Sequence, residues 1–274
     1  MTNADAHEGG AGPTLVLLHG LGGTWHIWKP VLALLESSHR VVALTLPGHA
    51  GGPPLPEGTG PSIEVIADTL EAELDRRGIT QAHFAGNSLG GWLSLEMQRR
   101  GRAQSVTALS PAGAWRTPED YAAVSKSFRI VFALLPLLIV LLGWLMHFAW
   151  VRRVANAKAM RRADRMTADD ARQAMKSMRQ TRMLPSLLDN MGRTGPIRPF
   201  NVPPHTTRIA WGDDDQVIPY PRYGAPMVES VRGCEQLTVN GVGHVPMYDD
   251  PEQVARVIAE TVARAPASAA EHAA

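Results

Sequence analysis

The chain has 274 residues, 45% hydrophobic and 19% charged, enough to bury a substantial core and too weakly charged for a disordered acidic or basic protein. A formal net charge of +1 gives no electrostatic case for nucleic acid as a partner, and a lone cysteine, Cys234, excludes an intrachain disulfide. The length favours one large domain, or a core carrying an insertion, over two independent domains.

In chain order, residues 1–12 are polar and Gly/Ala-rich, without the basic-then-apolar order of a signal peptide, so a cytoplasmic location is expected. Residues 14–18 form an apolar run ending at His19-Gly20, the pattern of a buried strand entering a glycine turn. Residues 25–36 carry apolar positions at helical spacing, and 41–46 read as a second strand closed by Pro47-Gly48. The Gly/Pro-rich stretch 49–61 is a loop, after which Ser62 can cap a helix over 63–77. A strand over 82–85, a helix over 89–100 and a strand over 105–109 follow. From Ala114 to Asn201 the alternation stops and the chain reads as helices only. It resumes with strands at 208–211 and 236–239 and a final helix at 251–264, leaving an Ala-rich, frayed tail after Ala265. Apolar strands alternating with amphipathic helices imply a mostly parallel, doubly wound α/β sheet. The expected domains are a core of residues 1–113 and 202–274 and a helical cap of residues 114–201.

Gly86-Asn87-Ser88-Leu89-Gly90 lies between a predicted strand and a predicted helix, the context a G-x-S-x-G nucleophile elbow requires. Such a tight turn tolerates no Cβ at its flanking glycines and lifts the serine oxygen above the sheet, over a helix N-terminus. A serine hydroxyl needs a base within hydrogen-bond reach. His244, in Gly241-Val242-Gly243-His244 after the last strand, is the histidine whose position suits that task. His19, at the end of the first strand, reads instead as a turn brace. The acid that orients His244 should follow the preceding strand, where Asp213, Asp214 and Asp215 stand together. Asp215 is chosen because it lies furthest past the strand, just before the anchoring Val217-Ile218-Pro219. The resulting catalytic set is Ser88, Asp215 and His244, in the chain order Ser, Asp, His.

With the His19-Gly20-Leu21-Gly22-Gly23 turn, the Leu46-Pro47-Gly48-His49 turn, the Ser88 elbow and the Asp215 and His244 loops in this order, the chain resembles the α/β-hydrolase superfamily over nearly its whole length. The resemblance implies an oxyanion hole from the backbone N–H groups of Leu21 and Leu89. Few residues precede the first strand, so the antiparallel hairpin that opens many relatives is expected to be absent, leaving about six parallel strands. Haloalkane dehalogenases and epoxide hydrolases carry aspartate at the elbow, so Ser88 points to acyl transfer to water, as in carboxylesterases and lipases. Carbon–carbon bond hydrolases of ring-cleavage pathways share a Gly-Asn-Ser-x-Gly-Gly elbow and are the alternative, with a non-catalytic ligand-binding protein behind them. The expected substrate is a small to medium apolar ester, with no cofactor and no metal, since no His/Cys/carboxylate cluster has ligand spacing.

Residues 130–151 are almost entirely apolar, long enough for a membrane span. One crossing would separate Ser88 from Asp215 and His244, and Pro136 and Gly143 favour two shorter helices. The resemblance places a cap here, over the site. Leu137, Leu138, Leu141, Trp144 and Leu145 are then candidates for lining an acyl or aryl pocket, with peripheral lipid contact through the outer face as a further expectation.

Overall fold

The computed structural model describes residues 6–265, so the tail expected to fray beyond Ala265 lies outside the described residues. The first half of the chain runs β1 (Ala6–Gly9), β2 (Thr14–Leu18), α1 (Lys29–Glu36), β3 (Arg40–Leu44), α2 (Ile63–Arg76), β4 (Ala82–Asn87), α3 (Leu89–Arg99) and β5 (Ala103–Leu109). Four helices follow without a strand: α4 (Pro118–Leu142), α5 (Ala149–Ala155), α6 (Ala168–Gln180) and α7 (Leu184–Thr194). The rest is β6 (Phe200–Asn201), β7 (Thr207–Gly212), α8 (Ala225–Ser230), β8 (Val231–Arg232), β9 (Glu235–Val239) and α9 (Pro251–Arg264).

Seven strands form one sheet in the order β1-β3-β2-β4-β5-β7-β9, parallel throughout except for β1, while β6 and β8 pair separately. Each central strand is buried on both faces, which is why these segments read as continuous apolar runs. Alternation sorts them: Leu15, Leu17, Val41 and Ala43 pack with α1 and α9, whereas Val16, Leu18, Val42 and Leu44 pack with α2 and α3. The Ser62 hydroxyl caps α2 by accepting from the Val65 N–H at 3.2 Å.

The six parallel strands expected are present, and the sheet gains a seventh, because β1 pairs antiparallel with β3 from Ala6 opposite Leu44 to Gly9 opposite Val41. No hairpin opens the fold, since β1 and β2 are not neighbours in the sheet. The stretch Ala-His-Glu-Gly carries no strand signal; what holds it is distant in sequence. His7 pairs with Glu36 at 2.5 Å and stacks on Trp25, and Glu8 meets Arg40 and Arg77. One expectation is corrected in the apolar stretch, where α4 runs unbroken through Pro136 and the break falls at Gly143. Proline removes one backbone donor but is tolerated where neither ring nor freed carbonyl meets a packed neighbour, and Pro136 faces outward.

Candidate active site

Parallel strands end on one edge of the sheet, and the loops beyond those ends gather there. Ser88 follows β4, Asp215 follows β7, His244 follows β9, and the His19–Gly23 turn follows β2. Ser88 has φ 56° and ψ −116°, the left-handed region that a non-glycine residue occupies only under constraint. The surroundings impose it. The Ser88 N–H donates to Leu109 O at 3.0 Å, and its carbonyl accepts from Ala112 N at 2.9 Å and Trp92 N at 3.1 Å. A Cβ on Gly86 would lie 2.1 Å from Gly90 O, and one on Gly90 would lie 2.2 Å from Leu18 O, so both elbow glycines are obligatory. The Ser88 hydroxyl has no hydrogen-bond partner among the described residues and lines a cavity together with Leu21 and Leu89.

His244 Nδ1 lies 2.8 Å from Asp215 Oδ2, with both side chains almost wholly buried. The other carboxylate oxygen of Asp215 accepts from the N–H groups of Val217 and Ile218, each at 2.9 Å. Three donors thus hold this carboxylate in one orientation. Since Asp215 takes the Nδ1 proton, the neutral imidazole presents Nε2 as an acceptor, and Nε2 has no partner among the described residues. The neighbouring aspartates do other things. Asp213 accepts from Gly241 N at 2.8 Å and Val242 N at 3.2 Å, which pins the His244 loop, and Asp214 meets Arg161 at 3.3 Å on the surface.

The turn after β2 is built on His19. The Leu46 N–H donates to His19 Nε2 at 2.9 Å, so the ring proton sits on Nδ1 and donates to Gly20 O at 2.7 Å. Burial, and then the nearby His49, hold the His19 pKa well below 6.5, so this ring stays neutral and clamps the turn. The N–H groups of Leu21 and Leu89 donate to no described acceptor, Leu89 because it opens α3. Burial pushes His49 and His83 down to about 4 as well. A histidine held neutral when folded binds fewer protons than in the unfolded chain between that value and 6.5. Its stabilisation is therefore complete above pH 6.5 and is lost as pH falls towards 4. For His49 the loss reaches about 3 kcal/mol. Urea unfolding at pH 7.5, 5.5 and 4.5 should show this fall, and His49→Phe should flatten it; equal stability at all three values would refute it.

The cavity above Ser88 is walled by Trp115, Tyr121, Val124, Phe128, Leu188 and Met191, among others. Its helical wall is the first turns of α4 and the middle of α7. The five residues expected to line a pocket, Leu137, Leu138, Leu141, Trp144 and Leu145, border neither this cavity nor the second one beside His19, His26 and Asp170. The reason is reach: α4 passes the cavity in its first three turns and then projects away, so Leu137, Leu141 and Trp144 are exposed. Leu145 packs instead with Met146 and Val151 in a separate small core.

Two polar residues position the site without having been singled out in the sequence. Asn87 Nδ2 donates to His244 O at 2.8 Å and to Leu109 O at 3.2 Å, tying the elbow to the histidine loop. Asp249 accepts from Gly243 N at 2.8 Å and from Arg162 N at 2.7 Å, and Val245 N donates to Ala159 O at 2.9 Å. The histidine loop is thereby fastened to the helical segment. Asn87 sits inside the elbow motif, where its polarity beside two buried glycines was a usable signal; Asp249 had none. Among the described residues no group of three or more His, Cys, Asp or Glu is placed to hold a metal.

The sequence matches the alpha/beta hydrolase family profile over residues 15–257. It is 30% identical over 210 residues to the epoxide hydrolase EphH of Mycobacterium tuberculosis, covering 72% of this chain and 93% of that protein. It is 26% identical over 260 residues to the putative carbamate hydrolase RutD of Stutzerimonas stutzeri, covering 92% of each. Among solved structures, a thermophilic esterase from Thermogutta terrifontis superposes with a TM-score of 0.69 at 16% identity, over 95% of this chain and 93% of the other.

Proposed function

The chain belongs to the alpha/beta hydrolase family and is a hydrolase, and from that premise we propose that it cleaves carboxylic esters of small to medium apolar substrates through an acyl-enzyme on Ser88. The observation that carries this reading is the buried Asp215–His244 pair at 2.8 Å, in a loop tied by Asn87 to the strained Ser88 elbow. Ser88 Oγ attacks the ester carbonyl while His244 Nε2 takes its proton. The tetrahedral oxyanion is met by the N–H groups of Leu21 and Leu89, each worth about 3 kcal/mol to the barrier. His244 then protonates the leaving alcohol. Water, deprotonated by the same ring, hydrolyses the acyl-enzyme, and Asp215 holds the tautomer and stabilises the imidazolium throughout.

Relatives named for epoxide and carbamate hydrolysis set the competing readings. Ring opening of an epoxide through a covalent ester requires a carboxylate nucleophile, and position 88 holds a hydroxyl. Carbamate cleavage would use the same carbonyl chemistry as ester cleavage. The apolar lining, with Phe128, Leu188 and Met191, favours an acyl chain over a polar group. The test is a p-nitrophenyl ester series from acetate to decanoate beside a styrene-type epoxide and an aryl carbamate, with fluorophosphonate labelling. We expect turnover of medium-chain esters, none of the epoxide, and a single label on Ser88. No ester turnover with Ser88 unlabelled would refute the reading.

A further inference from the structure

Among the described residues, ten of the eleven large apolar side chains that stand exposed lie within residues 130–154. They form one surface. Leu134, Leu137, Val140 and Leu141 recur at helical spacing along the outer side of α4, and Trp144 and Trp150 extend it past the Gly143 break; Val140 is 78% exposed and Trp144 69%. The inner side of α4 is apolar too, carrying Tyr121, Val124 and Phe128 into the cavity and Leu135 into packing. A water-facing helix is polar on its outer side; from Ile130 to Leu142 this one carries no polar side chain on any side. So many large apolar side chains exposed on one segment is unusual for a soluble monomer, whose apolar patches rarely exceed roughly a few hundred Å².

Charge identifies what covers it. Fifteen of the 27 Lys and Arg but only six of the 26 Asp and Glu fall in residues 114–201, so that segment carries +9 and the remainder −8. Lys126, Arg153, Lys158, Lys176 and Arg179 are exposed there and form no salt bridge with a described residue. An apolar patch set in a cationic surface matches the interface of an anionic bilayer. A second copy of this chain on the same face would set +9 against +9, which opposes association.

The depth is limited. By length and composition α4 could cross a membrane. Its first turns, however, are held to the body of the protein: Tyr223 Oη donates to Asp120 O at 2.9 Å, Arg129 meets Asp189 at 2.7 Å, and Tyr121 Oη donates to Leu188 O. That leaves only the outer side of 130–142 uncovered, which at 1.5 Å per residue is roughly 20 Å long, short of the ~30 Å hydrocarbon core. We propose that the protein docks on anionic phospholipid membranes monotopically, burying the outer side of α4 and the α4–α5 turn in one leaflet with Trp144 and Trp150 at its boundary. The Arg152 guanidinium braces this tip by donating to Met146 O at 2.6 Å and His147 O at 3.0 Å. The cavity lies on the same helix, so docking sets its helical wall close to the membrane. The inference does not depend on which bond the enzyme cleaves.

The experiment is flotation of the full chain with vesicles of phosphatidylcholine, or of phosphatidylcholine with 30% phosphatidylglycerol (about a third anionic, as in acidic leaflets). The bound fraction is expected to be at least about tenfold higher on anionic vesicles and to fall in high salt. The variant L137E/V140E/L141E, at exposed positions away from the cavity, should lose at least about tenfold in binding and keep its thermal midpoint and its activity on a soluble substrate. Brominated phospholipid should quench wild-type tryptophan fluorescence, and W144F/W150F should lose that quenching. Equal flotation of wild type and the triple-glutamate variant, or no quenching of bound wild type, overturns the proposal. So does a lipid-independent dimer that the same variant splits.

Discussion

Ser88→Ala is expected to lower kcat by about 10⁴- to 10⁶-fold on the best p-nitrophenyl ester with KM little changed, because the acyl-enzyme route closes while binding remains. The three aspartates make the sharper test. In Asp215→Asn, Val217 and Ile218 still need an acceptor at 2.9 Å, so the amide oxygen turns towards them and the NH₂ faces His244. Nδ1 must then accept, the ring proton moves to Nε2, and the ring can no longer take the serine proton. A kcat loss of about 10⁴-fold is expected without loss of fold. Asp213→Asn keeps an oxygen for Gly241 and Val242, and Asp214→Asn removes only a surface ion pair, so each should stay within about threefold of wild type. A large loss at Asp213 or Asp214 with Asp215→Asn active would reassign the acid.

Gly90→Ala should be among the most damaging single methyls in the described residues. The added Cβ would lie 2.2 Å from Leu18 O and 2.6 Å from His19 O, and both are backbone at the end of a central strand. Neither can retreat without dragging β2 and the Leu21 turn. A loss above about 4 kcal/mol is expected, a large share of ordinary domain stability, with the thermal midpoint lowered by roughly 10 °C or more. Gly60→Ala, where a Cβ meets nothing within 4 Å, is the control and should melt with wild type. Matching melts for the two variants would show that the elbow is not close-packed.

The elements nearest the sheet's centre were the most legible. Strands at 14–18, 82–87 and 207–212 are buried on both faces, and their apolar residues let the pattern expose 14–18, 82–85 and 208–211. Leu89–Arg99 and Pro251–Arg264 carried helical spacing with recognisable starts. What escaped was held by partners far away in the chain. The β1 strand rests on Glu36, Arg40 and Arg77, and Asp249 acquires a role only because Gly243 and Arg162 arrive beside it. The five leucine and tryptophan positions assigned to a pocket failed for a related reason. Hydrophobicity reports that a side chain avoids water, not which apolar surface receives it.

By itself, the sequence determined the kind of sheet, the strand-turn-helix setting of Ser88 and the glycine loop of His244, because strand burial, tight turns and glycine requirements are local properties. It pointed to Asp215 among three adjacent carboxylates by its place furthest past the strand, but could not show a contact that separates them. Only the tertiary structure did so, since which oxygen meets His244 Nδ1 depends on how the loops after β7 and β9 pack against each other. The same holds for α4. Its apolar length is written in the chain, but that its first half walls the cavity and its second half faces outward follows from where α7 and β5 place its start.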